Sequence, residues 1–156
     1  MLAEDERLYE VVSQGPDAIE LQSAQGTNKL VPSGDYYAAG YTNLTKSKEI
    51  RITSTFGVDY SLQNICLDVV PTKLQNTVEA YIKDADLGVS EIRTRVEFKE
   101  AGASSLDYLI IVNVNSEASC HYYRIKRYIQ QACVKACNEE KWTIPFPQLT
   151  ISKAAD

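Results

Sequence analysis

A single histidine, His121, is all the imidazole this 156-residue chain contains, and none of the usual catalytic signatures accompanies it. His121 follows Cys120, and on a helix adjacent side chains diverge by about 100°, so the pair cannot form a nucleophile–base dyad. The four cysteines, at 66, 120, 133 and 137, have no C-x-x-C spacing. Cys133 and Cys137 could face one ion from a shared helix face, but two ligands do not close a zinc site. The expectation is four free thiols with no cofactor and no metal, the 133/137 pair serving as core. There is no G-x-x-x-x-G-K-[ST] phosphate loop, no G-x-G-x-x-G, no H-E-x-x-H and no EF-hand loop. An enzyme is not indicated.

Long apolar runs are missing too. The longest aliphatic stretch is Leu109-Ile110-Ile111-Val112, far short of the ~20 residues that cross a bilayer. The opening MLAEDERLYE is too acidic for a secretory leader. Positive charge is in the minority, for the net charge is −5, a field that repels phosphate backbones and makes nucleic acid a poor partner. With 44% hydrophobic and 24% charged residues, the composition is that of an ordinary folded domain.

What is present falls into two parts. In residues 1–46, short strand-like pieces (YEVV, AIELQSA, NKLV) alternate with Gly-Pro-Asp, Gln-Gly-Thr-Asn and Pro-Ser-Gly turns. These predict a small, partial β domain whose first 15 or so residues are its loosest part. In residues 47–156 the periods change. Ile50, Ile52 and Ser54 alternate with Arg51, Thr53 and Thr55, as on a half-buried strand. Thr72 and Gln75 make a capping-box signature ahead of Leu74, Val78, Tyr81 and Ile82 at helical spacing. Residues 91–99 alternate again, 101–105 are turn-like, and 106–115 are apolar on both faces, which predicts a hairpin with its second strand central. Ser116 is the expected N-cap of a helix running to about Lys141, with Ile125, Ile129, Ala132, Cys133, Ala136 and Cys137 as its apolar stripe. Arg51, Arg93 and Arg95 could offer a basic sheet face, but Glu91, Glu97 and Glu100 interleave with them and favour cross-strand pairing. The order strand, helix, strand, strand, helix, short strand is that of an α+β ferredoxin-like sandwich, β-α-β-β-α-β.

The end of the chain is the most specific feature. Two of only five prolines flank Phe146 in Trp142-Thr143-Ile144-Pro145-Phe146-Pro147-Gln148-Leu149-Thr150-Ile151. Proline fixes φ and donates no hydrogen bond, so the segment stops the helix and redirects the chain into a short alternating strand. This string resembles the end of the soluble part of small-conductance mechanosensitive (MscS-like) channels, where Ile-Pro-Phe-Pro-Gln precedes a short strand. Gly26 with Leu30-Val31-Pro32-Ser33, then Asn43, then Thr55-Phe56-Gly57-Val58-Asp59-Tyr60 are similar to further family pieces in the same order. The chain departs from the pattern in three places. Trp142 stands where the family has a glycine after the last helix, Ser33-Gly34 follow Pro32 in place of Asn-Ser, and Ser61–Val70 lengthen the path to the first helix.

The resemblance implies a cytoplasmic vestibule portion of a channel subunit, at the inner face of the cell membrane. It implies oligomerisation and solute filtering during osmotic-shock release, without enzymatic activity. The partners implied are other copies of the same subunit, seven in the full-length channel, and a membrane reached through upstream helices this sequence does not contain. Ile144, Pro145, Phe146, Pro147 and Gln148 would carry the chain out of the sandwich, and Leu149, Thr150 and Ile151 would pair with other subunits in a small barrel. The alternative expectation is a stand-alone ferredoxin-like regulatory module that binds a small metabolite at a dimer interface.

Overall fold

The computed structural model describes residues 2–4 and 7–146. Two antiparallel sheets divide it. The first contains β1 (Leu2–Glu4), β2 (Arg7–Gln14), β3 (Ala18–Ser23), β4 (Asn28–Pro32) and β5 (Thr42–Asn43), in the spatial order β4-β3-β2-β1-β5. A short helix, α1 (Ser33–Ala38), joins β4 to β5. The β3–β4 turn needs a left-handed residue, and Gly26 supplies it at φ 82°, where glycine has no Cβ penalty.

Residues 7–14, expected within the loosest part of the chain, form the middle strand of this sheet. This strand contains the strand-like YEVV piece, and a β-bulge between Val11 and Ser13 interrupts its alternation. The bulge leaves Val11 and Val12 both on the surface, at 39% and 52% exposure, so apolar residues no longer alternate with polar ones. The core of this part is small. Tyr9, Ile19, Leu21 and Val31 are its buried members, with Tyr36 and Tyr41 against them, the two rings stacked at 4.9 Å.

The second part contains β6 (Glu49–Val58), α2 (Val69–Lys83), β7 (Ile92–Ala101), β8 (Leu106–Asn115) and α3 (Tyr122–Glu140). Its sheet order is β6-β8-β7, which places the hairpin's second strand in the centre, as its apolar sequence requires. On β8, Leu106, Tyr108, Ile110, Val112 and Val114 are buried while the intervening residues are half-buried. They pack on Val70, Leu74, Val78 and Ile82 of α2, and on Ile125, Ile129, Ala132, Cys133, Ala136 and Cys137 of α3. The small Ala and Cys side chains on α3 let that helix approach closely. This is the β-α-β-β-α part of the expected α+β sandwich, and the strand predicted at Leu149–Ile151 lies outside the described residues.

Two helix starts differ from the sequence expectation. α2 begins at Val69 rather than after Thr72, and the Thr72 hydroxyl donates back to the Asp68 carbonyl at 2.8 Å. Pro71 permits this, because the first helical N–H groups have no intrahelical acceptor and its missing donor costs nothing there. Ser116 opens a 3₁₀ turn through His121, and α3 itself starts at Tyr122.

The end of α3 accounts for one departure from the family pattern. Lys141 holds the left-handed conformation, φ 58° and ψ 34°, and the Trp142 N–H donates to the Cys137 carbonyl at 2.8 Å while the Lys141 N–H donates to Asn138. These are the two bonds of a Schellman motif, with Trp142 folding back onto the core. The position that favours glycine is therefore Lys141, one residue before the tryptophan. Because a side chain costs roughly 1–2 kcal/mol in this conformation, Lys141→Gly is expected to raise unfolding stability by about 1 kcal/mol, after the greater unfolded-state entropy of glycine is subtracted. An unchanged or lower urea midpoint at constant m-value would contradict that account.

Candidate functional site

The exit segment is fixed at its base from two sides. The Schellman turn holds Trp142, and the Asp59 N–H, just past the end of β6, donates to the Thr143 carbonyl at 3.2 Å. Asp59 is itself ordered by a turn: its carboxylate accepts from the Ser61 N–H at 2.9 Å, which holds its pKa below the usual carboxylate value. Tyr60 donates its hydroxyl to the Gly102 carbonyl in the β7–β8 turn. Gly57 is glycine for a spatial reason, since a Cβ there would lie 2.8 Å from Asp107 Oδ1 and 2.9 Å from Ser105 Cβ. The two pieces 56–60 and 142–146, some 80 residues apart, thus meet at one end of the sandwich.

Of the site residues named from the sequence, Ile144, Pro145 and Phe146 are described. Pro145 is half-buried, Ile144 is 37% exposed and Phe146 is 76% exposed. Pro147, Gln148, Leu149, Thr150 and Ile151 lie outside the described residues. A phenylalanine held in water between two prolines suits a contact surface rather than a core.

The other sequence candidates resolve into structure. Arg93 pairs with Glu49 across to β6, Arg95 with Glu97 at 2.7 Å, and Arg51 donates to Asn113 at 3.1 Å on the facing strand. Charge pairing therefore occupies the sheet face that might have held an anion. Cys133 and Cys137 are fully buried on the α3 stripe. Burial pushes the Cys133 thiol up to about 12 and raises Cys137 as well. Among the described residues no group of three or more His, Cys, Asp or Glu side chains could hold a metal ion. Sequence reasoning missed a cleft between the first sheet and the start of α3, lined by Lys29, His121, Arg124 and Arg127. Nothing in the sequence joins positions about a hundred residues apart.

No family model matches the sequence, and no curated protein does. Solved structures do. The crystal structure of Helicobacter pylori MscS in its closed state superposes with a TM-score of 0.73 over 99% of this chain, at 17% identity. The chain has an MscS-like fold. The cryo-EM structure of Arabidopsis thaliana MSL1 agrees, with a TM-score of 0.60 over 89% of the chain at 14% identity. The chain spans 58% of the first of those chains and 48% of the second. Among the described residues no helix is long and apolar enough to cross a membrane.

Proposed function

We propose that this chain is the cytoplasmic vestibule portion of a mechanosensitive channel subunit, a non-enzymatic part that mediates oligomerisation and filters solutes during osmotic release. The observation that carries the reading is the exit segment. Ile144–Phe146 leaves the sandwich at a fixed point with its apolar side chains exposed, in a chain whose fold is that of MscS-type channels. The first sheet supports it, for its buried cluster of Tyr9, Ile19, Leu21 and Val31 is too small to stabilise five strands by itself, while Leu30 and Tyr37 stand 72% and 68% exposed. In the proposal both surfaces face other copies of the same subunit, seven to a channel, and residues 1–46 and 47–156 are separate domains of each. The membrane is reached through segments outside this sequence.

Truncation tests the assignment of Leu149–Ile151 as an intersubunit strand. A chain ending at Gln148 should unfold in urea within about 1 kcal/mol of the chain ending at Asp156, and should lose the higher oligomers seen by sedimentation over a concentration series. If the strand belongs to its own sandwich, each fully buried apolar side chain lost costs about 1.5–3 kcal/mol. A large fall in midpoint with an unchanged oligomer distribution would therefore defeat the proposal. A tight dimer at micromolar concentration would favour the metabolite-binding module instead.

A further inference from the structure

The cleft between the first sheet and α3 has a volume of ≈ 770 Å³ and is lined by residues of both parts of the chain. Lys29 comes from β4, His121 from the 3₁₀ turn, Arg124 and Arg127 from the first turns of α3, and Tyr9 and Tyr123 add aromatic surface. Every formally charged side chain on its wall is cationic, and no Asp or Glu lines it. In a chain of net charge −5 this is a local reversal of sign.

Three further facts separate this arrangement from an ordinary solvated face. Several cations elsewhere are paired, as in Lys73–Glu140 at 2.7 Å, Lys83–Glu79 at 2.7 Å and Lys99–Glu100 at 2.8 Å. Among the described residues, by contrast, neither Arg124 nor Arg127 has a carboxylate within ion-pair distance. Second, Arg124 is held in one orientation: its Nε donates to the Tyr128 hydroxyl at 3.0 Å and its guanidinium lies 5.5 Å from that ring's centroid, leaving both terminal amino groups to other acceptors. Third, α3 carries Arg124, Lys126 and Arg127 near its start and Glu139 and Glu140 at its end, opposite to what the helix dipole favours. Helix stability therefore does not explain where these cations sit.

We propose that this cleft binds a small phosphate-bearing anion, with Arg124 and Arg127 gripping the phosphate oxygens and Lys29 contributing from the sheet side. Guanidinium groups match phosphate oxygens with paired, charge-assisted hydrogen bonds, and a cleft with low-dielectric walls concentrates the field of its cations. The volume lies in the range of small-molecule sites. The inference concerns one chain and stands whether or not the channel reading does.

Titrations of the whole chain with inorganic pyrophosphate and with ATP, followed by amide chemical shifts at ionic strength held constant with KCl, test it. The expected result is saturable shifts confined to residues around 23–29 and 120–127. The double variant R124Q/R127Q should bind at least tenfold more weakly. Lys126→Gln removes the same kind of charge from the same helix, but Lys126 lines a neighbouring groove and not this cleft, so that variant should bind within twofold of the parent. All three side chains are exposed, and an unchanged far-UV spectrum verifies that the variants fold. ATP binding tenfold tighter than pyrophosphate would assign the ligand as an organic phosphate that also uses Tyr9 and Tyr123, whereas equal binding would assign the phosphate group alone. Shifts that do not saturate, or equal weakening by Lys126→Gln and the double variant, would overturn the proposal.

Discussion

Tyr108→Ala is expected to leave the second part of the chain at the edge of unfolding, with a loss of roughly 3–5 kcal/mol from the cavity and a further 1–3 kcal/mol from an orphaned acceptor. Tyr108 is fully buried near the start of β8, the central strand of its sheet. Its ring meets Phe98 edge-on at 5.7 Å, and its hydroxyl donates to the buried Cys66 carbonyl at 2.7 Å. Typical domains have a net stability of only about 5–15 kcal/mol, so the sum is a large fraction of the whole. Tyr108→Phe separates the two contributions, because it keeps the ring and removes only the hydroxyl, for an expected loss of about 1–2 kcal/mol. Cys66 lies in the segment between the end of β6 at Val58 and the start of α2 at Val69. Tyr108→Phe should therefore speed amide exchange there more than in β8. Equal losses in the two variants would mean that the hydroxyl, not the ring, dominates.

Alkaline pH should unfold this chain more steeply than its carboxylates and lysines would predict. Cys133 is completely buried, and its thiol is pushed from about 9 to about 12, first by burial and then by the neighbouring Cys137. In the unfolded chain the thiol ionises near its ordinary value, so the unfolded state releases its proton first as pH rises. The stabilising contribution is therefore fully present below about pH 9 and is lost progressively up to about pH 12. The stability at stake is on the order of a few kcal/mol. Burial raises Cys137 and Tyr108 in the same direction, so the losses reinforce one another. Cys133→Ala should lower stability at pH 7 by removing core volume, yet flatten the slope of unfolding free energy between pH 9 and 11. An unchanged slope in that variant would show that Cys133 is not the group responsible. At pH 8 in the native state only the exposed Cys120 should react quickly with a thiol reagent, and all four cysteines should react in denaturant.

The sandwich was legible in the sequence wherever burial is one-sided and regular. The six-residue α3 stripe, the Ile50–Ile52–Ser54 face of β6 and the central position of β8 all follow from alternation or helical spacing, because each element has one face that must leave water. The Ile-Pro-Phe-Pro string was legible for a different reason, since proline restricts the backbone whatever surrounds it. These local constraints, with the family resemblance they support, point to the MscS-like fold.

Other features were set by contacts between distant residues. The YEVV piece of β2 was legible as a strand, but the bulge breaks the alternation after Val11, so its extension to Gln14 and its central place in the sheet were not. The start of α2 moved past the capping box because Pro71 could join the first turn, a choice that burial of Val70 favours over local propensity. The left-handed Lys141 follows from Trp142 folding onto the core, and a lysine in the sequence gives no sign of it. The cationic cleft likewise required Lys29 and Arg124 to be brought together by packing. Local pattern by itself determined which residues form strands and helices and which faces they bury, since those are properties of neighbouring residues. Only the tertiary structure decided where the exit segment is tied and which charges share a cleft, because such juxtapositions depend on how whole elements pack.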